Sequence, residues 1–278
     1  MITDIQTNKL FLADCLPKKQ PKFFQRFEKV LSSCKIAFDF LPNCKDIWAV
    51  DFMPIQVNKD EFVQFTYNPD YLKPQKYHKT ISDVDAICKA INLTTQKTKL
   101  IVDGGNVSRT ADKVIMCDKV FAENKNLKEK EVIKLLENLF QVNKVLFVPW
   151  DKYDFTGHTD GMVRFIDSNT VLINDYSQEE AEFQRSFRIA LHNAGLDYVE
   201  LPYNPPKDLK LISARGLYLN YLQMEQAVIV PIFKTKHDDK AIKVLEKVFK
   251  GQNIVTVNSN ELADEGGIIN CITWNIKV

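Results

Sequence analysis

Apolar residues recur at the spacing of an amphipathic α-helix in five stretches of the chain. Within each stretch they follow the i, i+3, i+4, i+7 pattern, which places them on one face of a helix. The stretches cover residues 23–31, 84–91, 132–140, 180–194 and 241–249. The pattern therefore predicts five helices that each bury one side and expose the other.

A short run of β-branched and aromatic residues follows each predicted helix. Such runs are typical of strands. They cover 36–38, 100–102, 145–148, 198–201 and 254–257, and further strands are predicted at 48–57, 61–67, 162–166, 171–174 and 227–233. Turn signals at 68–70 and 203–206 separate neighbouring units.

The predicted helices recur about every 50–60 residues, a period that is typical of structural repeats. No linker rich in Gly, Ser or Pro divides the chain. We therefore predict one α/β domain over residues 1–278, built from about five strand–helix units. The same pattern is also compatible with an ordinary three-layer α/β fold.

Composition narrows the classes of partner. The chain has 278 residues, of which 45% are hydrophobic, so it can bury a large core. Its 37 basic and 36 acidic residues leave a net charge of +1, which predicts neither nucleic acid nor anionic membrane as a partner. No apolar stretch approaches the ~20 residues that span a bilayer, and no signal-peptide pattern opens the chain. We expect a cytoplasmic protein.

Six cysteines are present, and none has the CxxC spacing of a structural zinc site. A disulfide framework is not expected in a chain of this size without an export signal. Cys34, Cys88 and Cys117 lie within apolar patterns and are predicted to be buried. Cys271 differs, because it follows a pair of glycines at the start of a predicted strand, where a thiol is better placed to react.

Two segments carry an aspartate within or at the end of a predicted apolar strand. Asp51 lies inside an otherwise apolar predicted strand, and burying an unpaired charge is costly. Asp51 therefore either caps or pairs locally or faces a cationic ligand. Asp103 ends a strand and precedes Gly104, Gly105 and Asn106, a sequence that fits a plain turn or a close backbone approach. This segment lacks the spacing of a dinucleotide fingerprint or a P-loop.

Two further segments add a base and a nucleophile. His158 is flanked by Gly157 and by Thr159-Asp160, and in an extended segment His158 and Asp160 share one face. They could form a base with an orienting carboxylate, a metal half-site or a simple turn, although no matching His/Cys pair occurs elsewhere. The fourth segment is Gly266 to Cys271.

Taken together and in this order, the four segments resemble the agmatine deiminase / bacterial peptidyl-arginine deiminase family. That family carries Trp-x-Arg-Asp-x-x-Pro, an acidic residue before Gly-Gly-Asn, Gly-His-x-Asp, and Gly-Gly-x-x-x-Cys-Ile-Thr. The matching residues here are Trp48 to Pro54, 103–106, 157–160 and 266–273. The resemblance implies the pentein fold, a five-bladed α/β propeller of pseudo-fivefold ββαβ-type units around a central active site.

The resemblance also implies roles for individual residues. Asp51 and Asp160 would clamp a guanidinium group, and Cys271 would attack its central carbon as a thiolate. His158 would protonate the departing ammonia and then activate water, while Asp103 would orient His158. Neither a metal nor an organic cofactor is implied.

Two weaker assignments and two departures follow from the same comparison. Asn220 matches a family segment with an active-site Asn, and Trp48 is assigned to substrate binding with Asp51. Val50 stands where the family usually has Arg, and Asp103 stands where Glu is more common. These departures concern the substrate more than the type of reaction.

The leading hypothesis is hydrolysis of agmatine to N-carbamoylputrescine and ammonia, with a small guanidine as the only expected partner besides a second copy of the chain. The alternatives are deimination of peptidyl or free arginine, and amidino transfer to an amine. A non-catalytic binding protein on the same scaffold is a further alternative. The joint presence of Cys271, His158, Asp160 and Asp51 argues against it.

Overall fold

The computed structural model describes residues 1–152, 154–203 and 212–278. The turn predicted at 203–206 lies outside these ranges from residue 204 onward. Within the described ranges, no helix has the length and apolar character needed to cross a bilayer.

The strands of the described residues form five three-stranded sheets. They are β1 (Lys9–Ala13), β2 (Phe38–Leu41), β3 (Ile55–Asn58), β4 (Glu61–Thr66), β5 (Gln96–Ile101), β6 (Ser108–Arg109), β7 (Lys113–Cys117), β8 (Lys144–Val148), β9 (Val163–Phe165), β10 (Thr170–Asn174), β11 (Asp197–Leu201), β12 (Leu222–Gln223), β13 (Ala227–Ile232), β14 (Asn253–Asn258) and β15 (Thr273–Ile276).

Five longer helices and four short ones are present in the same ranges. They are α1 (Leu16–Lys19), α2 (Pro21–Ser33), α3 (Ala49–Phe52), α4 (Val84–Ala90), α5 (Lys119–Glu123), α6 (Glu129–Phe140), α7 (Ala181–Asn193), α8 (Asp238–Val248) and α9 (Asn260–Ala263). The longer helices α2, α4, α6, α7 and α8 coincide with the five predicted from hydrophobic periodicity. Each prediction of a helix is confirmed, with bounds that differ by up to three residues.

All five sheets share one pairing pattern. The sheets are β3-β4-β5, β6-β7-β8, β9-β10-β11, β12-β13-β14 and β15-β1-β2. In each, the first strand is antiparallel to the second, and the third is parallel to the second after a helical crossover. Each unit is therefore ββαβ. The last unit joins both ends of the chain, since β15 pairs with β1.

Apolar side chains one turn apart on the helices fill the core. On α2 the buried residues are Phe23, Phe27 and Leu31, and on α6 they are Val132, Leu136 and Phe140. This i, i+4, i+8 spacing is the face that the sequence pattern predicts. Cys34, Cys88 and Cys117 are also buried, as predicted.

The strand predicted over 48–57 is wrong in its first half. Residues 49–52 form α3, in which the N–H of Met53 donates to the carbonyl of Ala49. The Val50 N–H donates to the carbonyl of Cys271 rather than to a neighbouring strand, so no ladder can form there. Strand β3 begins only after Pro54, which has no N–H to contribute.

Two other local expectations also differ from the structure. The strand predicted to begin at Cys271 begins at Thr273, because 269–272 form a turn in which the Thr273 hydroxyl donates to the carbonyls of Ile269 and Asn270. Residues 159–161 form a 3-10 turn instead of the extended segment expected around His158 and Asp160.

The polar segments all lie in equivalent places. A connection leads from the third strand of each sheet to the first strand of the next, and these connections follow β2, β5, β8, β11 and β14. In order, they carry Asp51, Asp103, His158 with Asp160, Asn220, and Cys271. The repeat thus places one polar segment after every unit, which sets the position of the site.

Candidate active site

His158 lies between two carboxylates. Its Nε2 is 3.0 Å from Asp103 Oδ2, and its Nδ1 is 3.5 Å from Asp51 Oδ1. The hydroxyl of Tyr71 donates to the same Asp103 oxygen at 2.8 Å. The imidazole is therefore fixed in orientation, with a different acid at each nitrogen.

Gly105 allows Asp51 and His158 to approach each other. Its N–H donates to Asp51 Oδ1 at 3.2 Å. A Cβ atom at this position would lie 2.6 Å from His158 Nδ1 and 2.7 Å from Asp51 Oδ1, which is too close for any side chain. The two glycines after Asp103 are therefore more than a turn signal, because the second makes room for the pair.

Cys271 lies beside a carboxylate held by two amides. Its Sγ is 4.0 Å from Asp160 Oδ2 and 3.4 Å from Asn220 Oδ1. The side-chain amides of Asn220 and Asn270 both donate to Asp160 Oδ2, at 3.0 Å and 2.7 Å. Asn220 Oδ1 also accepts the backbone N–H of Asn270 at 3.0 Å. Asp160, Asn220 and the cysteine turn thus form one connected group.

Asn270 and Tyr71 were not predicted as site residues. Asn270 stands directly before Cys271 within the Gly266 to Cys271 segment, so its position was the available signal. Tyr71 lies in a 3-10 turn, Asp70–Leu72, outside every motif, and no sequence pattern indicates that it reaches Asp103.

Trp48 has a clear packing partner. A Cβ on Gly267 would lie 2.3 Å from Trp48 Cζ3, so the indole covers the backbone that leads to Cys271. This contact ties the connection of Asp51 to that of Cys271. The assignment of Trp48 to substrate binding stays a prediction.

Burial and mutual repulsion shift the titration of the acidic groups. Burial raises the pKa of Asp51 to about 8, opposed by the His158 cation and reinforced by the carboxylates of Asp103 and Asp160. Burial likewise raises the pKa of Asp160. Burial, then Asp160 and Asp51, raise the pKa of the Cys271 thiol well above its usual value. The cluster is short of positive charge.

For His158, the nearby carboxylates outweigh burial in setting the pKa. Burial by itself lowers the pKa of His158, but the carboxylates of Asp51 and Asp103 outweigh it and raise the pKa to about 10. His158 therefore holds its proton near neutral pH. The group combines a proton donor, a thiol and buried carboxylates, a set that suits a flat cation with several N–H groups.

Across the described ranges, no cluster of three or more His, Cys, Asp or Glu is arranged to hold a metal ion.

Asn270→Ala should raise the KM for a guanidinium substrate about tenfold, with a smaller change in kcat. Asp160 would lose one of its two amide donors, and hydrogen bonds to charged groups contribute about 1.5–3 kcal/mol. Steady-state kinetics would measure the change. Asn275→Ala, which removes an amide that donates to the Thr7 hydroxyl just before β1, is the matched control and should leave KM unchanged. Equal KM values for both variants would contradict a role of Asn270 in holding Asp160.

Known proteins resemble this chain in fold and in sequence. A solved agmatine deiminase from C. jejuni superposes with a TM-score of 0.83 at 20% identity, over 100% of this chain and 95% of that one. Dimethylarginine dimethylaminohydrolase (DDAH) from Pseudomonas aeruginosa superposes at 0.60 and 12% identity, over 98% of this chain and 100% of that one. Both likenesses concern the fold.

Sequence comparison gives the family. An agmatine deiminase from Medicago truncatula is 25% identical over 228 residues, 70% of this chain and 60% of that protein. The chain spans about 60% of the length of the curated relatives that it matches. The family model of the Porphyromonas-type peptidyl-arginine deiminases matches residues 13–276, nearly the whole chain. The chain belongs to the Porphyromonas-type peptidyl-arginine deiminase family.

Proposed function

We propose that this protein hydrolyses a guanidinium group, with agmatine as the substrate and N-carbamoylputrescine and ammonia as the products. The observation that carries the proposal is the Cys271 thiol, which lies 4.0 Å from the buried Asp160 carboxylate, with His158 and Asp51 paired in the same cluster. The names of the relatives support the same reaction, since several are agmatine deiminases.

The arrangement of the units supports a propeller. Five ββαβ units recur, and the connection after each one supplies a member of the site. We infer that the units surround the site as five blades of one domain over residues 1–278. A circular order also explains why the two ends of the chain pair within one sheet.

Binding would start with the charge of the substrate. A guanidinium offers forked N–H donors, which carboxylates accept in bidentate geometry. Asp51 and Asp160 are the two acceptors, and the amides of Asn220 and Asn270 hold Asp160 in place through Oδ2. Because Asp51, Asp103 and Asp160 outnumber the single cation of His158, the substrate cation adds positive charge that lowers the pKa of the Cys271 thiol and makes its thiolate available.

Catalysis then takes two half-reactions. In the first, the Cys271 thiolate forms a C–S bond, His158 gives its proton to one guanidinium nitrogen, and that C–N bond breaks to release ammonia. In the second, His158 takes a proton from water while the oxygen attacks the same carbon. The C–S bond breaks and the thiolate is expelled. Asp103 keeps the imidazole oriented through both steps.

Agmatine fits the site better than arginine does. Agmatine has no carboxylate, so its far end requires no cationic partner. Val50, where the family usually has Arg, adds no cation next to Asp51. Free arginine would bring a carboxylate into a group that already holds four acids, Asp51, Asp103, Asp160 and the thiol.

Ammonia release from agmatine, free arginine and arginyl peptides is the test of this proposal. We expect agmatine to give the highest kcat/KM. If a second amine is supplied and becomes a guanidine, while the substrate releases its own amine and no ammonia, the reaction is amidino transfer. Binding of guanidines without any turnover would indicate a non-catalytic protein. Folded protein that releases no ammonia from any guanidine would overturn the hydrolase proposal.

The dependence of kcat/KM on pH should be bell-shaped, with limbs near pH 8 and pH 10. Asp51 must be ionised to accept the substrate, and its pKa is raised to about 8, so the active form is lost as the pH falls through that value. His158 must carry a proton, and its pKa is raised to about 10, so the active form is lost above it. A profile that is flat from about pH 6 to pH 9 would contradict these assignments.

A further inference from the structure

A small cavity lies against the catalytic pair of His158 and Asp103. We call it the His158 cavity; α5 closes it on another side through Lys119, Val120 and Glu123. It offers about 10 Å³ to a water-sized ligand, close to the smallest space that holds one water molecule. Its lining is rich in charged groups.

Asp103 contributes an oxygen with no partner among the described residues. Asp103 Oδ2 accepts hydrogen bonds from Tyr71 and His158, whereas Oδ1 is buried and has none. The side chain is only 5% exposed. A buried carboxylate oxygen without a donor is costly, so this atom requires a donor that fits a very small space.

None of the neighbouring donors on the described chain reaches Asp103 Oδ1. The Lys119 ammonium has three hydrogens, and it contacts Asp70 Oδ1 at 2.8 Å, Glu123 Oε1 at 3.0 Å and the Thr156 carbonyl at 3.0 Å. The Asn106 amide donates to the Cys117 carbonyl. A water molecule, which has two hydrogens to donate, matches a cavity lined by the carboxylates of Asp103 and Glu123.

The proposed reaction leaves one proton to remove. A guanidinium cation and one water give a neutral ureido product, neutral ammonia and one proton. His158 can take up a proton at Nδ1, which faces Asp51, and release another at Nε2, which faces Asp103. A proton released at Nε2 reaches Asp103, and from there it needs a route to solvent.

We propose that one water molecule in the His158 cavity joins Asp103 to Glu123 and carries out the proton that each turnover releases. Glu123 lies next to Asp70, whose side chain is 49% exposed, so this line ends at the surface. This role rests on the proposed hydrolysis, whereas the water site itself does not.

Glu123→Gln tests the relay, because it keeps the shape of the side chain and removes its ability to accept the proton. We expect kcat to fall about tenfold with KM unchanged, and small diffusible bases such as imidazole to restore much of the loss. Glu129→Gln is the matched control, since Glu129 lies exposed at the start of α6 and does not line the cavity. It should retain wild-type kcat. Unchanged kcat in Glu123→Gln, or equal losses in both variants without rescue by base, would overturn the relay.

Val120→Ile tests the water without changing any charge. The added methyl group projects from a residue that lines the cavity and should displace the water. We expect a high-resolution crystal structure of the wild type to show a water within hydrogen-bond distance of Asp103 Oδ1, and that of Val120→Ile to lack it. The Val120→Ile protein should also show the same loss of kcat as Glu123→Gln. A wild-type cavity without water would overturn the proposal even if the protein hydrolyses guanidines. A water present in a protein without activity would instead retain the site and reject the proposed function.

Discussion

Replacing Cys271 with alanine should abolish ammonia release, with a loss of at least about 10⁴-fold in kcat. In the proposed mechanism the thiolate forms the covalent bond to the substrate carbon, and neither Asp160 nor Asn220 can substitute for it. The fold should survive, because Cys271 lies in a turn, is only partly buried and belongs to none of the apolar core clusters of the described residues. Ammonia assays and thermal unfolding of the two proteins measure both effects.

Cys15→Ala is the matched control, because Cys15 is the other partly buried cysteine of the described chain and lies outside the site. It should retain wild-type turnover. If the Cys271→Ala protein kept substantial activity with its fold intact, Cys271 would not be the nucleophile.

His158→Asn should lower kcat by about 10²–10⁴-fold, the usual contribution of a positioned proton donor and acceptor. Both half-reactions lose their proton transfer in this variant. Removing the cation also removes the attraction that lowers the pKa of Asp51, so that pKa should rise further above 8. The acid limb of kcat/KM should therefore move to higher pH, which a merely structural role of His158 would not produce.

His192→Asn is the matched control, since His192 lies exposed in the last turn of α7. It should leave both the rate and the pH profile unchanged. An acid limb that stays in place in His158→Asn would contradict the electrostatic pairing of His158 with Asp51.

Hydrophobic periodicity predicted the helices well, because their stability comes from one buried face. The α6 face of Val132, Leu136 and Phe140 is an example, and the helix merely extends to Glu129 beyond the apolar pattern. Strands were harder. Strands β6 and β12 have two residues each, which is too short for any alternation to appear, and neither these nor β1 and β7 were predicted.

The segment around Asp51 shows why a pattern can mislead. Its apolar neighbours suggested a strand, but tertiary contacts decided the outcome. The Val50 N–H bonds to Cys271 and the Trp48 ring packs on Gly267, so the backbone turns into α3. These contacts join parts of the chain about 220 residues apart, which local propensity cannot reveal.

The site was predicted more completely than the strands, because its residues occur in motifs with a recognisable order. Asp103 lies against His158, and its role in orienting His158 stays a prediction. The motifs did not predict which other side chains donate hydrogen bonds to the site carboxylates. Tyr71 reaches Asp103, and the amide of Asn270 reaches Asp160, through folding of connections that no local pattern describes.

Mass spectrometry of the protein quenched in acid during its first turnover of agmatine would detect the covalent intermediate itself. We expect an adduct with the mass of agmatine less ammonia, mapped to the peptide that contains Cys271, which disappears as N-carbamoylputrescine forms. Turnover with no adduct at any time, or an adduct on a cysteine other than Cys271, would show that Cys271 is not the nucleophile.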